Sequence, residues 1–327
     1  MGFELSFGIT TSYPIKLGHY MASTAERYGI RSIWIGDDIG GPHDVYSYTS
    51  LILSASSKLN VGIGIVSPFY YNISTIARSS ATIVELHGER FRLGLGVGGL
   101  KALEDRGITP TRVVDGLREA VEALKTIFKG ETVSLDTFHF KLFNYSLWNR
   151  FRIPIYLGVR GPKLLRLASK IADGVILSGP KAYLEETSKV FRNAKASRDF
   201  KLTGWFPTVL LDKDGSSIPS YAAKVVAMVA ADTPNRVLEA TGIDVGKVEQ
   251  IRQGLSLKRW DRVIELINEE FADLFLFYGS PSSLMSKFEE WARSNRVDEM
   301  VYGPPYGLNP EKSLKEVAST WRNWSSP

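Results

Sequence analysis

Short, mostly apolar runs alternate along the chain with stretches whose apolar residues recur at helical spacing. The runs are too short for helices and rich in β-branched residues, a pattern typical of strands buried on both faces of a parallel sheet. They occupy residues 3–9, 32–36, 61–68, 92–99, 153–157, 175–177, 202–211 and 299–303. Helical stretches separate them, so a strand-helix unit repeats. The pattern predicts a (β/α)8 TIM barrel, whose sites lie at the carboxyl ends of the strands.

Two stretches interrupt the repeat. Residues 130–152 are irregular and rich in aromatic side chains, which indicates an excursion from the barrel. Residues from about 212 to 298 are mainly helical, with a break at 275–280, and are interpreted as a helical insertion before the last strand. Neither stretch has the composition of a linker, so residues 1–327 are predicted to form one domain.

Residues 153–179 form a complete strand-loop-helix-strand unit. The strand is followed by a glycine-containing loop, Gly158-Val159-Arg160-Gly161. Pro162 suits the first position of the next helix, where a backbone N–H would make no intrahelical hydrogen bond. The open N–H groups and the positive dipole end of the helix favour a phosphate at this loop. The alternative is that the two glycines only make a tight turn.

Composition narrows the classes of function. The chain has no cysteine, which excludes disulfides, thiolate catalysis and cysteine-ligated zinc. Its net charge is +5, but the basic clusters are short and interrupted, which favours a solvated surface over a nucleic-acid site. A mild positive charge also favours a small anionic ligand.

The sequence also lacks signals for export, membrane insertion and metal binding. The first residues do not follow the pattern of a signal peptide, and no run approaches the roughly 18 apolar residues of a membrane span, so a cytoplasmic protein is expected. The four histidines are not spaced as metal ligands, and no metal site is predicted. Since no catalytic triad is evident either, a cofactor is expected to carry the chemistry.

Glycines at the strand ends leave room for a flat ligand. In the run Gly96-Val97-Gly98-Gly99, both Gly96 and Gly98 are expected to let a ring lie against the backbone. The run lacks the spacing and the acidic partner of a dinucleotide-binding fingerprint, so a Rossmann fold is not favoured.

Four motifs together resemble the bacterial luciferase-like flavin and deazaflavin barrels. They are Val61-Gly62-Ile63-Gly64-Ile65-Val66-Ser67-Pro68, Leu93-Gly94-Leu95-Gly96-Val97-Gly98-Gly99, Ile155-Tyr156-Leu157-Gly158-Val159-Arg160-Gly161-Pro162 and Ala172-Asp173-Gly174. Within that superfamily, the chain is most similar to the coenzyme F420-dependent methylenetetrahydromethanopterin reductases, nearly from end to end.

The resemblance implies how a deazaflavin would be held. A non-prolyl cis peptide between Gly64 and Ile65 would form a bulge behind the ring, and Asp37 and Ser67 would hydrogen-bond the polar edge of the ring. The loop of Gly158, Val159, Arg160 and Gly161 would take the phosphate. Alternatives remain at each place: an ordinary buried strand at Gly64, a cap or surface carboxylate at Asp37, and an Arg160 side chain that points to solvent.

The chain departs from the family pattern at three positions. Asp38 stands where a histidine is usual, Thr10 where the reductases often have an acid, and Gly99 where an aspartate or glutamate is usual. Any of these groups could supply a proton, and Glu104 and Asp105 follow closely enough to compensate for Gly99. Asp37 and Asp38 are the candidate catalytic residues.

The resemblance predicts an F420-dependent oxidoreductase that transfers a hydride between the deazaflavin and a small organic molecule, possibly methylene-tetrahydromethanopterin reduced to the methyl form. An FMN-dependent luciferase-like monooxygenase and a flavin-binding protein without catalysis are the alternatives. By the same resemblance, a homodimer or homotetramer is expected, with no membrane or nucleic-acid partner.

Overall fold

The computed structural model describes residues 2–197, 199–211 and 217–325. Its central sheet is a closed barrel of parallel strands, which confirms the predicted fold. In spatial order the barrel strands are β1 (Glu4–Thr10), β2 (Ser32–Gly36), β3 (Asn60–Val66), β4 (Phe91–Gly96), β7 (Ile155–Gly158), β8 (Gly174–Leu177), β9 (Lys201–Leu210) and β11 (Glu299–Tyr306). The barrel closes where β11 pairs with β1, and the short β10 (Phe277–Gly279) extends the sheet beside β9.

Helices between the strands cover the outside of the barrel. They are α1 (Ile15–Tyr28), α2 (Val45–Ser54), α3 (Ile73–His87), α4 (Leu100–Glu104), α5 (Val113–Phe128), α6 (Pro162–Ile171), α7 (Lys181–Ser188), α8 (Arg192–Ser197), α14 (Pro281–Asn295) and α15 (Pro310–Ser325). Their buried faces and the outward side chains of the strands form one large apolar core. Gly29 ends α1 in the left-handed conformation, at φ 79°, which glycine adopts without a Cβ clash.

The two interrupting stretches have more order than their sequences suggested. Residues 130–152 contain an antiparallel hairpin of β5 (Val133–Asp136) and β6 (Lys141–Tyr145), so the excursion is not wholly irregular. The second stretch contains α9 (Ser220–Ala231), α10 (Asn235–Ala240), α11 (Val245–Ser256), α12 (Trp260–Glu265) and α13 (Glu269–Asp273), which share an apolar core of their own. Helix α14 packs in the barrel core instead, so the helical insertion ends before it.

Large aromatic side chains fill the inside of the barrel. Trp34, Tyr156, Ile176 and Val301 form a separate apolar cluster there, with Trp205 packed against it. Glycines admit these rings: a Cβ at Gly8, for example, would lie 2.6 Å from Val301 Cγ1 and 2.9 Å from the Trp205 ring. Several strand glycines therefore make room for the protein's own indoles and not for a ligand.

A buried carboxylate, Glu299, lies at the amino-terminal end of the barrel interior. Its Oε1 accepts hydrogen bonds from the Ser6 hydroxyl and, at 2.9 Å, from Trp34 Nε1. Its Oε2 accepts from Thr203 Oγ1 at 3.1 Å and pairs with Arg92 Nη1 at 3.3 Å. Four strands supply the donors, so one carboxylate ties this end of the barrel together.

Candidate active site

The carboxyl ends of the strands open onto a mouth at which β3 is irregular. The peptide bond between Gly64 and Ile65 is cis, as the family resemblance implied. The pairing of β3 with β4 shifts register between Ile63 and Val66, which marks the bulge. Both Gly64 and Ile65 are partly exposed, although the strand before them is buried. The bulge therefore presents backbone to the mouth.

Glycines on the neighbouring strands admit the side chain of Ile65. A Cβ at Gly158 would lie 2.6 Å from Ile65 Cγ2, and a Cβ at Gly96 would lie 3.0 Å from Ile65 Cδ1. The space at these two glycines is thus filled by the bulge itself. Gly98 has a different reason to be glycine, since its φ of +93° is one that L side chains rarely adopt.

The floor of the mouth is apolar, formed by Ile176 and Trp205. A Cβ at Gly64 would meet Ile176 Cδ1 and Trp205 Cζ3, each at 3.0 Å, and a Cβ at Gly36 would lie 3.6 Å from Trp205 Cη2. Trp205 is partly exposed beneath these glycines. An indole below glycine backbone is a surface on which a planar ring can lie, whereas any side chain at Gly64 would disturb it.

Asp37 follows β2 directly, so its side chain lies at the rim of the mouth. Asp37 Oδ2 is buried and has no hydrogen-bond partner among the described residues. Burial raises the pKa of Asp37 to about 6; the nearby Asp38 and Asp44 carboxylates add to this, and the nearby Tyr71 hydroxyl opposes it. An unsatisfied buried acceptor costs about 1–3 kcal/mol, so this oxygen is suited to a polar ligand atom or to a proton.

Asp38 and Ser67 are arranged differently from Asp37. The Asp38 amide donates to Thr11 Oγ1 at 2.9 Å and its side chain is exposed, so this carboxylate stands outside the buried cluster. Ser67 is buried, and its hydroxyl donates to the Val97 carbonyl at 2.6 Å. To donate to a ligand, the Ser67 hydroxyl would have to leave that carbonyl, whereas its oxygen can accept a hydrogen bond without leaving it.

The loop at 158–161 is fixed by the burial of Val159 and by hydrogen bonds from the Arg160 side chain. Val159 is buried in the core, and Arg160 turns inward, so the arginine does not point to solvent. Arg160 Nε donates to the Ser178 carbonyl at 3.0 Å and Nη1 to the Asp232 carbonyl at 3.1 Å. Desolvation lowers the pKa of Arg160, against the favourable charge of Asp232. Its bonds join β7, β8 and the insertion at the rim.

Gly161 is the N-cap of α6 and Pro162 its first residue, as predicted. No side chain caps this terminus, so its first N–H groups are open to an anion. The guanidinium of Arg236, from α10 of the insertion, lies against Gly161 where a Cβ would otherwise be. An exposed cation thus stands beside the open end of the helix.

The structure also shows what surrounds the positions that depart from the family pattern. Asp232 Oδ2 lies 3.6 Å from the position of a Cβ on Gly99, so the insertion supplies a carboxyl beside this glycine. Desolvation raises the pKa of Asp232, while Arg160 and Arg252 lower it. Glu104 is exposed, and Asp105 pairs with Lys101 at 2.6 Å on the surface.

Tyr71, Trp205, Arg236 and Asp232 were not predicted as site residues. Tyr71 follows the third strand by a few residues, so the run of three aromatic residues after Pro68, Phe69-Tyr70-Tyr71, was a signal that could have been used. Trp205 is hidden within an ordinary apolar strand. Arg236 and Asp232 belong to the insertion, whose position over the mouth has no local signature in the sequence.

The structure offers neither a metal cluster nor a membrane-spanning helix within its described residues. Among the residues that the structure describes, no group of three histidine, aspartate or glutamate side chains is placed to hold a metal ion. Within the same residues, no helix combines the length and apolar character needed to cross a bilayer.

Comparison with known proteins shows extensive similarity. A family model described as luciferase-like monooxygenase matches residues 9–298. The 5,10-methylenetetrahydromethanopterin reductase of Archaeoglobus fulgidus is 30% identical over 308 residues, covering 91% of this chain and 92% of that protein. The protein of the same name from Methanolobus tindarius is 30% identical over 323 residues, covering 96% and 98%. The structure of the coenzyme F420-dependent tetrahydromethanopterin reductase from Methanopyrus kandleri aligns with a TM-score of 0.85 at 22% identity, over 97% of this chain and 98% of that one.

Proposed function

The chain belongs to the luciferase-like monooxygenase family, and from this premise we propose that it is a coenzyme F420-dependent oxidoreductase that transfers a hydride between the deazaflavin and a small organic substrate. The observation that carries the proposal is the pairing of a glycine-backed bulge at Gly64–Ile65 with the unpartnered Oδ2 of Asp37 beside it. The bulge and the floor accept a planar ring, and the carboxyl meets a polar edge.

The residues present fit such a cofactor. Gly64, Ile65 and Trp205 would support the ring, and Asp37 would bind its polar edge. The open terminus of α6, with the cations Arg160 and Arg236 near it, would hold the phosphate. When bound, the deazaflavin supplies a hydride-transferring carbon, and the barrel supplies positioning and a dry, apolar floor.

We propose a one-carbon derivative of a reduced pterin as the substrate, because the relatives that match over nine-tenths of the chain are methylenetetrahydromethanopterin reductases. Reduction of a methylene bridge to a methyl group adds a hydride to carbon, breaks one carbon–nitrogen bond and adds a proton to that nitrogen. A carboxyl with a pKa of about 6 holds and releases a proton near neutral pH, which suits Asp37 for this task.

Reconstitution tests the proposal. The purified protein is titrated with F420 and with FMN, and reduced F420 is then mixed with methylene-tetrahydromethanopterin while the oxidised deazaflavin absorption is followed. We expect F420 binding and substrate-dependent oxidation. Preferential FMN binding with oxygen consumption would support a monooxygenase instead. Tight F420 binding without turnover on pterins, alcohols or sugar phosphates would indicate a binding protein.

We also propose that the chain acts in the cytoplasm as one domain that assembles into a homodimer or homotetramer through its early helices. Partly exposed apolar side chains support such contacts: Ile15 on α1, Leu51 on α2 and Leu86 on α3. Sedimentation equilibrium measures the assembly, and charged substitutions at these three positions should shift it toward monomer.

A further inference from the structure

The insertion brings two opposite charges to the mouth of the barrel. Arg236, on α10, lies against Gly161 at the open terminus of α6. Asp232, the residue that ends α9, lies against Gly99 shortly after β4, with its Oδ2 at 3.6 Å from the position of a Cβ. Both Arg236 and Asp232 are exposed. A ligand in the mouth therefore meets a cation beside the end of β7 and a carboxyl beside the end of β4.

Two arginines fix the backbone around Asp232 and leave its side chain free. Arg252 donates from Nε to the Ala231 carbonyl at 2.9 Å and from Nη2 to the Thr233 carbonyl at 2.7 Å. Arg160 Nη1 donates to the carbonyl of Asp232 itself at 3.1 Å. Carbonyls at the end of a helix lack intrahelical donors, and here the arginines supply them. Among the described residues, neither guanidinium nor any other donor is bonded to the Asp232 carboxyl.

Gly99 leaves open the space beside this carboxyl. Its φ of −68° and ψ of 117° are extended values that any residue adopts, so the backbone does not require glycine there. A Cβ at Gly99 would meet Asp232 Oδ2 and, at 3.9 Å, Ala102 Cβ, both at ordinary contact distance. At Gly158, by contrast, the side chain of Ile65 occupies the corresponding space. The described residues thus leave room at Gly99 for a ligand group that contacts the carboxyl.

We propose that Asp232 is a substrate-binding residue, whose carboxylate accepts hydrogen bonds from N–H groups of a substrate ring lying in the space at Gly99. This inference rests on the proposed function and deepens it. A reduced pterin carries N–H donors on its pyrimidine ring, and the two oxygens of a carboxylate can accept from two of them. The same carboxylate repels a phosphate, which is attracted to Arg236 instead. The insertion therefore directs an anionic tail to α6 and an N–H-bearing ring to Gly99.

The test is binding of the pterin to the parent protein and to Asp232→Asn, which keeps the shape of the side chain. Each is titrated by calorimetry with tetrahydromethanopterin, with and without F420, and rates are measured with the methylene derivative. In Asp232→Asn, the dissociation constant and the KM of the pterin should rise by about tenfold or more, because charge-assisted hydrogen bonds are lost. The affinity for F420 should not fall. Asp261→Asn, an exposed carboxyl of α12 in the same insertion, is the matched control and should leave these constants unchanged.

Gly99→Val tests the space without removing the charge. Valine suits the extended backbone at this position, and its methyl groups would occupy the space beside Asp232. Pterin binding should again weaken by about tenfold, while thermal unfolding shows that the variant is folded. Pterin binding as tight as in the parent would overturn the placement of the substrate ring at Gly99.

The outcomes distinguish the inference from the proposed function. Turnover of the pterin with F420 in the parent, with unchanged pterin constants in Asp232→Asn, would support the function and overturn the inference. Pterin binding without F420-dependent turnover, if weakened in Asp232→Asn, would support the inference and refute the function. Equal losses of F420 and pterin affinity in Asp232→Asn would indicate a distorted mouth and overturn the inference. A parent that binds neither ligand would overturn both.

Discussion

The two ends of the barrel hold carboxyl groups in opposite conditions. At the amino-terminal end, Glu299 is buried and both of its oxygens accept hydrogen bonds, from Ser6, Trp34, Thr203 and Arg92. At the carboxyl-terminal end, Asp37 Oδ2 is buried and has no hydrogen-bond partner among the described residues. Both oxygens of Glu299 therefore have hydrogen-bond donors, whereas Asp37 has an oxygen that can still accept a hydrogen bond.

This difference separates stability from function. Parallel strands with polar side chains directed into a barrel can use them as cross-links or as a site, and the closed end of this barrel uses Glu299 as a cross-link. At the open end, an unpartnered oxygen raises the free energy of the folded protein until something binds to it. In this barrel, the two buried acids differ in that Asp37 has an oxygen without a hydrogen-bond partner among the described residues, and this difference marks the candidate site.

Removal of the satisfied carboxylate should have the largest effect. Glu299→Ala leaves the partly buried Arg92 cation and several buried donors without their acceptor, so the free energy of unfolding should fall by about 3–5 kcal/mol. Urea denaturation measures the loss. The control Glu290→Ala removes an exposed carboxylate of α14 and should change stability by less than about 0.5 kcal/mol. Equal losses of stability in the two variants would contradict the cross-linking role of Glu299.

At the open end, the loss of a charge should alter binding and leave folding unchanged. Arg236→Ala removes the exposed guanidinium beside the open terminus of α6, so the affinity for F420 should fall by about tenfold, and less at high salt. Fluorescence titration with F420 and with its chromophore lacking the phosphate tail measures the difference; only the complete cofactor should bind more weakly. Arg262→Ala, on the exposed surface of α12, serves as the control. Equally weakened binding of the two ligands would contradict a contact between Arg236 and the phosphate tail.

Neutralising Asp37 should change the free energy of unfolding less than the loss of Glu299 does, and with the opposite sign. Its folded pKa of about 6 lies above the ordinary value of roughly 3.9, so the folded protein binds the proton more tightly, and stability falls as the pH rises from about 4 to 6. Asp37→Asn should therefore be more stable than the parent by about 1 kcal/mol at pH 8, after allowance for partial exposure, with no difference near pH 4. Thermal unfolding across this range measures it. If Asp37→Asn is instead less stable than the parent at pH 8, the ionised Asp37 carboxylate has hydrogen-bond partners in the folded protein.

The local sequence predicted much of the site because its signals are local. Gly158 to Pro162 had to form a strand-to-helix turn, since only that order of glycine, proline and apolar residues suits both elements. Asp37 follows a short buried strand, and the family resemblance supplied its expected role at the ring. The family resemblance, and not the residue pattern itself, supplied the cis bond between Gly64 and Ile65.

Other features of the site depend on long-range packing, which the local sequence does not report. Gly96 and Gly158 look like spaces for a ligand along the chain, but the side chain of Ile65 fills them. Arg160 was expected either to contact a phosphate or to point to solvent. In the structure its side chain donates hydrogen bonds to the carbonyls of Ser178 and Asp232. In each case the partner lies on another strand or in the insertion, where no short-range pattern reports it.

The succession of strands and helices, and therefore the barrel, can be read from the sequence, because the period of apolar residues is a property of each segment alone. Which polar groups have hydrogen-bond partners depends on the folded arrangement. Glu299 and Asp37 are both acids at the boundary of a strand, and nothing in their local sequences marks one as a cross-link and the other as a site. That distinction depends on whether donors from other strands reach the carboxyl, a contact between segments far apart in the chain.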